Sequence, residues 1–252
     1  MRLMIFAFIG LFMSQSGKAI EPFNGKTLTI QTVDGLDIKA DFYENADTSC
    51  PIILLFHQAG YSRGEYRQIA PKLNHLGFAC IAIDQRSGKE VNGIENETFI
   101  QANNKKYKTE HVEALTDLKA TIDFAISHYK NRKIILWGSS YSASLVFILG
   151  KEYKNKVSGI IAFSPGEYFR YEGLKIEDYA KEIECPVFIT SKKDEQEAWI
   201  SIFQNVKSTE KYYFLPQFTG QHGSKALWDT NEGNEKYWTA LTAFLDKIKR
   251  LK

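Results

Sequence analysis

The residues best suited to chemistry lie in the segment Gly138-Ser-Ser-Tyr-Ser142. An apolar, β-branched run precedes it and a second apolar run follows it, which predicts a buried strand, a sharp turn and a buried helix. A serine at such a turn, with small residues two positions before and after it, is typical of a nucleophile elbow, where a strained backbone lifts the hydroxyl above the sheet. The pentapeptide alone is equally compatible with a serine that caps the helix.

Groups that suit acyl transfer also follow other predicted strands. Asp194 follows a strand at 186–190, and His222 lies in a glycine-flanked loop after a strand at 211–216. Because the carboxyl ends of parallel strands meet at one edge of a sheet, we expect both groups near Ser140. Serine, acid and histidine in this chain order are typical of a triad built on a nucleophile elbow. The order therefore favours the elbow over the cap.

The triad hypothesis gives each residue a role. Ser140 is the nucleophile, His222 accepts its proton, and Asp194 fixes the imidazole tautomer. Asp194 could instead be only the N-cap of the next helix, and the adjacent Glu195 is a competing acid. Asp194 is preferred because it stands at the usual offset after its strand. The other four histidines precede the acid and have structural interpretations, a loop hydrogen bond in the case of His57.

An acyl-transfer site also needs two fixed donors for the oxyanion. The backbone N–H of Tyr141, at the start of the elbow helix, is the first expected donor. The second is expected from the loop after a strand at 51–56, where position favours Ala59 and Gln58 is the runner-up.

Aromatic residues lie on segments expected to surround Ser140. They are candidates for an apolar acyl or aryl pocket, although core packing explains any one of them equally well. These residues are Tyr61, Tyr168, Phe169, Tyr171 and Trp228.

The elements that must position these groups alternate along the chain. Two strands at 27–32 and 36–43 alternate apolar and polar residues about Asp34-Gly35, which predicts an antiparallel hairpin. Continuous apolar runs predict buried strands at 51–56, 78–84, 134–137, 157–164 and 186–190, and a last strand is predicted at 211–216. Helices are predicted at 65–76, 110–129, 143–149, 176–183, 195–206 and 234–248. The fold class is therefore α/β, with a mostly parallel sheet covered by helices on both faces.

Residues 85–108 interrupt this alternation as a long polar stretch with little periodicity. A stretch of this length inside a compact domain is expected to be part of a site. Near its start, Arg86 follows Asp84 and is interpreted as a brace for the loop through an ion pair.

The first residues of the chain have the features of a signal peptide. Arg2 precedes an apolar run at 3–13, and small residues mark a cleavage site after Ala19. The run is too short to span a bilayer. We therefore predict a signal peptide at 1–19 and a single domain at 20–252, exported to the periplasm or secreted without stable insertion into a membrane.

Charge and cysteine content limit the partners. The chain has 32 basic and 30 acidic residues, and loss of residues 1–19 would remove two basic residues and leave the charges balanced. This balance does not favour nucleic acid or an anionic membrane as a partner. Cys50, Cys80 and Cys185 lack metal-ligand spacing, so no metal site is predicted. A bridge between Cys50 and Cys185 cannot be read from the sequence.

These motifs resemble the α/β-hydrolase superfamily, and within it the small, lidless dienelactone-hydrolase-like and serine esterase branch. The resemblance covers nearly all of the chain after residue 19 and rests on 57–60, 138–142, Asp194 and 220–223. The sequence departs from the pattern at Ser142, where glycine is usual, and at Gln58, where related loops often have glycine. Dienelactone hydrolases use a cysteine nucleophile, so their substrate is not transferred to this chain.

The resemblance and the triad together imply a serine hydrolase that cleaves small or soluble carboxylic esters through an acyl-enzyme, without a metal or organic cofactor. A peptidase or amidase on the same fold is an alternative, because its chemistry uses the same residues. A catalytically inactive binding relative is a second alternative, motivated by Ser142 and Gln58. Neither the natural substrate nor the oligomeric state follows from the sequence.

Overall fold

The computed structural model describes Phe23 and residues 25–251, so the predicted signal peptide lies outside the described residues. The strands are β1 (Lys26–Gln31), β2 (Asp37–Tyr43), β3 (Ile52–Phe56), β4 (Ala79–Ile83), β5 (Glu90–Val91), β6 (Ile94–Glu95), β7 (Ile134–Ser139), β8 (Val157–Phe163), β9 (Val187–Thr190) and β10 (Lys211–Phe214). The α-helices are α1 (Ile69–His75), α2 (Glu97–Asn104), α3 (Leu115–His128), α4 (Tyr141–Glu152), α5 (Ile176–Ala180), α6 (Gln196–Asn205) and α7 (Asn234–Arg250). Single turns of 3₁₀-helix occur at Arg63–Tyr66, His111–Ala114, Lys193–Glu195 and Ser224–Leu227.

An eight-stranded sheet in the order β1-β2-β4-β3-β7-β8-β9-β10 forms the centre of the fold. Strand β2 pairs antiparallel with both β1 and β4, and the other pairs are parallel. Every residue of β3, β4 and β7 is buried, as their continuous apolar sequences predict. The predicted mostly parallel sheet with an antiparallel start is confirmed.

Helices cover both faces of this sheet. Along each strand, alternate side chains point to opposite faces. Leu54 and Leu136 pack with α3, α4, α5 and α6, whereas Ile53 and Ile135 pack with α1 and α7. In the described part of the chain, no helix is long and apolar enough to span a membrane.

The helix predicted at 65–76 is instead a 3₁₀ turn, Arg63–Tyr66, followed by the shorter helix α1. Pro71 explains the break, because proline has no N–H and its ring clashes with the carbonyl four residues earlier, so it is tolerated only in the first turn of a helix. The break frees the side chain of Glu65 to enter the interior, where it is fully buried.

The polar stretch 85–108 contains the small hairpin β5–β6 and the helix α2, which periodicity did not predict. Asn96 starts α2, since its side chain accepts a hydrogen bond from Phe99 N at 2.7 Å. Asp84 adds a second anchor by accepting from Glu97 N at 2.9 Å. Hydrogen bonds to side chains therefore stabilise the start of α2, a helix whose hydrophobic pattern is weak.

Two buried arginines brace the loops that follow β4. Arg63 contacts the carboxylates of Asp84, Asp41 and Glu97 at 2.5, 3.2 and 2.8 Å. Arg86 makes ion pairs of 2.8 Å with Asp34 and with Asp117, so its interpretation as a brace is confirmed. Burial raises the pKa of Asp84, and likewise that of Asp117, to about 6 despite these pairs.

Candidate active site

Ser140 lies in a sharp turn between β7 and α4, with φ 58° and ψ −122°. Its side chain makes no capping hydrogen bond to the helix, so the N-cap alternative does not apply. Gly138 permits the turn, because a Cβ atom there would lie 2.3 Å from the carbonyl oxygen of Ser142. The strained backbone and this close approach are the geometry of a nucleophile elbow.

A continuous hydrogen-bonded chain starts at this serine. Ser140 Oγ lies 2.8 Å from His222 Nε2, and His222 Nδ1 lies 2.6 Å from Glu195 Oε1. An ionised carboxylate only accepts hydrogen bonds, so Nδ1 carries the proton and Nε2 is free to accept from the serine. We refer to Ser140, His222 and Glu195 as the candidate triad.

The prediction of Asp194 as the acid is wrong in this geometry. The Asp194 side chain is 70% exposed and contacts Lys192, whereas that of Glu195 is 18% exposed and contacts His222. Both carboxylates lie on one 3₁₀ turn, where successive side chains point about 120° apart. The distance in sequence from the strand end does not determine which of the two carboxylates points inward. The extra methylene of glutamate lets the Glu195 carboxylate extend to His222.

Sequence reasoning missed Ser164, which directly follows β8. Its hydroxyl lies 2.7 Å from Glu195 Oε2. Burial alone raises the pKa of Glu195, but hydrogen bonds from His222 and Ser164 outweigh burial and hold that pKa below its ordinary value. The acid is thus kept ionised beside the imidazole. A polar residue at the end of a predicted buried strand was the available signal.

In the loop after β3, the backbone N–H groups of Ala59 and Gly60 have no hydrogen-bond acceptor among the described residues. Residues 58–61 form a turn in which Tyr61 N donates to Gln58 O at 3.3 Å and Gly60 has φ 73°. Gln58 N–H is already used, because it donates to Glu65 Oε2 at 2.8 Å. Ala59 is exposed, and its N–H donates to no other backbone carbonyl of the described residues. The geometry therefore favours Ala59 over Gln58 as the second oxyanion donor, with Tyr141 at the first position of α4 as the other.

Glu65 joins three loops beneath the candidate triad, and sequence reasoning missed it. It accepts hydrogen bonds from Gln58 N and from Ser139 Oγ, at 2.8 and 2.7 Å. Ser139 Oγ in turn accepts from Ser224 N at 2.8 Å. Burial raises the pKa of Glu65 to about 7, and these donors oppose the rise. In the sequence, the only indication of this role was that Glu65 lies between the loop after β3 and Pro71.

Gly223 permits the close approach of the same three loops. A Cβ atom at this position would lie 2.4 Å from Gln58 Oε1 and 2.6 Å from Ser139 Oγ. Its φ of 71° also favours glycine. The loop that bears His222 is therefore held directly against the elbow.

Ser142, the departure from the usual glycine, is fully buried. Its hydroxyl donates to His57 O at 2.7 Å and accepts from Gln85 Nε2 at 2.8 Å. A serine is thus accommodated at this position, and its hydroxyl ties the elbow helix to the loop after β3.

The fully buried His57 has a structural role. Its Nδ1 lies 2.8 Å from Gln58 O, and Gln85 N donates to Nε2 at 3.0 Å. Burial lowers the pKa of His57 to about 4, so the ring is neutral at pH 7. The loop hydrogen bond expected for His57 is confirmed.

The aromatic candidates separate into two groups. Tyr61 and Trp228 stack with ring centroids 6.1 Å apart, and join the loop after β3 to the loop that bears His222. Tyr168 is 46% exposed, donates to Ser164 O at 2.9 Å and lies beside the Ser140 hydroxyl. Phe169 and Tyr171 instead pack against the hydrophobic core, so the structure gives them no place in a pocket.

The groups that the structure brings together at the site are those used in acyl transfer. In Phe23 and residues 25–251, no three His, Cys, Asp or Glu side chains form a group that could hold a metal ion. Cys50, Cys80 and Cys185 are all free thiols. The groups that the structure brings together are a serine hydroxyl, an imidazole, a carboxylate and backbone donors, which is a set suited to acyl transfer.

Comparisons with known proteins identify the family and the fold. The model of the family described as "Serine aminopeptidase, S33" matches residues 47–241. The esterase Pf2001 of Pyrococcus furiosus is 18% identical with a TM-score of 0.69, and the alignment covers 89% of this chain and 93% of that one. Est1E of Butyrivibrio proteoclasticus, solved with ferulic acid bound, is 17% identical with a TM-score of 0.68 over 89% and 100% of the two chains.

A dienelactone hydrolase of Anabaena variabilis is 12% identical with a TM-score of 0.69, over 88% and 97% of the two chains. At these identities the structural likeness shows the fold alone, which is that of the α/β-hydrolases. Among curated proteins, no sequence matches this chain.

Proposed function

The chain belongs to the hydrolase family described as serine aminopeptidase S33, and on this premise we propose that it is a serine hydrolase that cleaves carboxylic esters through an acyl-enzyme. The observation that carries the proposal is the hydrogen-bonded chain from Ser140 Oγ through His222 to Glu195, with distances of 2.8 and 2.6 Å. A serine hydroxyl is a weak nucleophile alone, and an imidazole within hydrogen-bonding distance activates it.

The geometry supports a two-step reaction. Ser140 Oγ attacks the ester carbonyl carbon while its proton passes to His222 Nε2, and the imidazolium then protonates the departing alkoxide. Water then attacks the carbonyl carbon of the acyl-serine while its proton passes to His222 Nε2, and the bond from this carbon to Ser140 Oγ breaks as the imidazolium returns the proton to Oγ. Glu195 stabilises the imidazolium that forms in both steps. It can do so because hydrogen bonds hold its pKa low and keep it charged.

The oxyanion forms between two backbone donors in this proposal. The N–H of Tyr141 belongs to the first turn of α4, where no intrahelical carbonyl is available to it. The N–H of Ala59 lies in the turn whose preceding amide, that of Gln58, is fixed by Glu65. Such preorganised donors act without reorganisation at the moment of reaction.

Ser140→Ala tests the proposal. The variant should fold normally, lose hydrolysis of p-nitrophenyl acetate by at least about 10³-fold, and fail to react with a fluorophosphonate probe. Ser127→Ala is the matched control, because Ser127 is an exposed serine on α3, and it should keep full activity and labelling. Unchanged hydrolysis by Ser140→Ala would overturn the assignment, and a wild-type protein that neither hydrolyses esters nor reacts with the probe would point to an inactive binding relative.

The connection between β8 and β9 supports small or soluble esters as substrates. Residues 164–186 contain a single short α-helix, α5, which gives no large lid over Ser140. We therefore expect p-nitrophenyl acetate and butyrate to be hydrolysed with higher kcat/KM than emulsified long-chain esters. A strong preference for the emulsified substrate would contradict this part of the proposal.

A peptidase is the second candidate, because the description of the family names an aminopeptidase. An aminopeptidase binds the ammonium group of its substrate with an anion. The two carboxylates placed at the site, Glu195 and Glu65, are already engaged by His222, Ser164, Gln58 and Ser139, which favours the ester. Alanine p-nitroanilide and p-nitrophenyl acetate separate the two functions, and higher kcat/KM on the anilide would establish the peptidase.

We also propose that the protein is exported. The charged start, short apolar run and small residues of 1–19 support cleavage after Ala19. Expression of the full chain in a bacterial host, followed by fractionation and determination of the N-terminus, should give a periplasmic or secreted product that begins at Ile20. A cytosolic product that retains the first residues would contradict export.

A further inference from the structure

Ser164 occupies a backbone conformation that a serine adopts only at a cost. Its φ is 56°, in the left-handed region, and it is 1% exposed. For a residue other than glycine, such a conformation is strained and persists where the surroundings enforce it. Glycine would avoid the cost, so the serine side chain must contribute something that offsets it.

The hydroxyl of Ser164 makes two hydrogen bonds with fixed directions. Gly223 N donates to Ser164 Oγ at 2.9 Å, and Ser164 Oγ lies 2.7 Å from Glu195 Oε2. A hydroxyl has a single proton, and a carboxylate only accepts, so that proton points to Glu195. The donor from Gly223 polarises the hydroxyl and strengthens its hydrogen bond to the acid.

This arrangement connects the acid to the loop that bears the base. Glu195 Oε1 lies against His222 Nδ1, and Oε2 accepts from Ser164 Oγ at 2.7 Å and from Lys192 N at the longer distance of 3.3 Å. Gly223, the other partner of Ser164, is the residue after His222. One hydroxyl therefore fixes both the plane of the carboxylate and the position of the loop that carries the imidazole.

The identity of the acid makes a further anchor valuable. Glutamate has one more rotatable bond than aspartate, so without Ser164 the hydrogen bond to His222 and the longer one from Lys192 N would leave its carboxylate less restrained. Glu195 is also only partly buried, so solvent competes for its oxygens. We propose that Ser164 is a positioning residue of the site, which acts through Glu195 by orienting its carboxylate towards His222. This inference rests on the proposed function.

The backbone contacts of Ser164 do not need its side chain. Its N–H donates to Thr190 O at 2.6 Å, and its carbonyl accepts from the Tyr168 hydroxyl at 2.9 Å. Ser164→Gly keeps both contacts, removes the hydroxyl and relieves the left-handed strain. It therefore separates the hydroxyl from the stability of the fold.

The test compares Ser164→Gly and Ser164→Ala with wild type on p-nitrophenyl acetate. A lost hydrogen bond to a charged group predicts a fall in kcat of about 10- to 100-fold in both variants, with KM changed by less than about twofold. The Tm of Ser164→Gly should equal or exceed that of Ser164→Ala. If the role were only structural, the better-folded glycine variant would keep wild-type kcat, and that result would overturn the inference.

Asn131→Gly is the matched control for relief of strain. Asn131 has φ 69° in an exposed turn before β7, at the end of the sheet opposite Ser140. This variant should keep wild-type kcat, which shows that a left-handed residue can be replaced by glycine without loss of activity. A comparable fall in kcat for Asn131→Gly would remove the special role of Ser164.

A double-mutant cycle tests whether Ser164 acts through the acid. In a Glu195→Gln background, Ser164→Gly should lower kcat by less than about threefold, because the group that it orients is already lost. A full additional 10- to 100-fold loss would mean that Ser164 acts independently and would overturn the inference. Ser140→Ala distinguishes the two levels, since an active Ser140→Ala defeats the proposed function, whereas an inactive Ser140→Ala with a fully active Ser164→Gly defeats this inference alone.

Discussion

The carboxylate of the candidate triad and the carboxylates paired with the buried arginines have different surroundings and opposite pKa shifts. Glu195 is partly exposed, receives hydrogen bonds from neutral donors and has a lowered pKa. Asp84 and Asp117 are sealed from solvent, pair with arginines and have pKa values raised to about 6. In the proposed mechanism, the group that stabilises a transient positive charge stays ionised and partly hydrated, whereas a group that braces a loop is buried with a permanent cation.

This contrast predicts that substitutions near the two kinds of carboxylate affect different quantities. Changes beside Glu195 should alter kcat with little effect on the free energy of unfolding. Changes in the buried ion pairs should alter the free energy of unfolding with little effect on the kcat of folded molecules. The four predictions that follow test the separation, from the largest expected effect to the smallest.

Glu195→Gln should lower kcat on p-nitrophenyl acetate by about 10³- to 10⁴-fold, because a neutral amide cannot stabilise the imidazolium and favours the wrong tautomer. The Tm should change little. Asp194→Asn is the matched control, since its exposed side chain makes no contact with His222, and kcat should stay within about twofold. A larger loss for Asp194→Asn than for Glu195→Gln would restore Asp194 as the acid.

Arg63→Met should reduce the free energy of unfolding by about 3–5 kcal/mol, because it leaves the buried Asp84 without its cation. Urea unfolding measures this loss, and kcat corrected for the folded fraction should remain near wild type. Lys72→Met removes an exposed pair with Asp229 and should cost less than about 1 kcal/mol. Equal losses in the two variants would show that burial does not distinguish these pairs.

Ala59→Pro should lower kcat by about 10²- to 10³-fold, since it removes one oxyanion donor. Residues 58–61 form a turn with a left-handed glycine at its third position, and proline is favoured at the second position of such a turn. Ala59→Gly keeps the N–H and should remain close to wild type. Wild-type kcat in the proline variant would exclude Ala59 as a donor.

Glu65→Gln should change the pH dependence of stability. The pKa of Glu65 is about 7 in the folded protein and about 4.5 when unfolded, so the folded state binds this proton more tightly. Stability from Glu65 is therefore present below pH 4.5 and is lost as pH rises through 7, by at most on the order of 3 kcal/mol.

The glutamine variant lacks this loss. Its free energy of unfolding relative to wild type should therefore increase between pH 5 and pH 8, as measured by urea unfolding at each pH. A difference that stays constant across this range would show that Glu65 is already ionised at pH 5.

The sequence predicted the parts of the site that local geometry determines. The nucleophile elbow depends on five consecutive residues, and the order of Ser140 and His222 at strand ends depends on the rule for parallel sheets. The buried parallel strands were found because their apolar runs are continuous, and the antiparallel pair β1–β2 because its residues alternate between apolar and polar. The acid was missed by one position, since the direction of a side chain on a 3₁₀ turn depends on packing rather than on spacing.

The groups missed altogether act through tertiary contacts. Glu65 is a glutamate within a polar loop, and only the packed structure shows that Ser139 and Gln58 donate to it. Ser164 has an ordinary position at a strand end, and only its backbone angle and its contact with Glu195 distinguish it. Helix α2 was missed because side-chain caps at Asn96, rather than a hydrophobic pattern, start it.

Because Gly223 has no side chain, three loops meet closely at this position, and their meeting has a consequence for folding. The contacts that meet there span most of the sheet, since the bond from Ser224 to Ser139 joins residues 85 positions apart and that from Ser139 to Glu65 joins residues 74 apart. Contacts of such sequence separation form late, after the cost in chain entropy of closing long loops. The hydrolytic centre should therefore be absent from early collapsed states. Turnover regained during refolding would then report completion of the whole sheet rather than of any one segment.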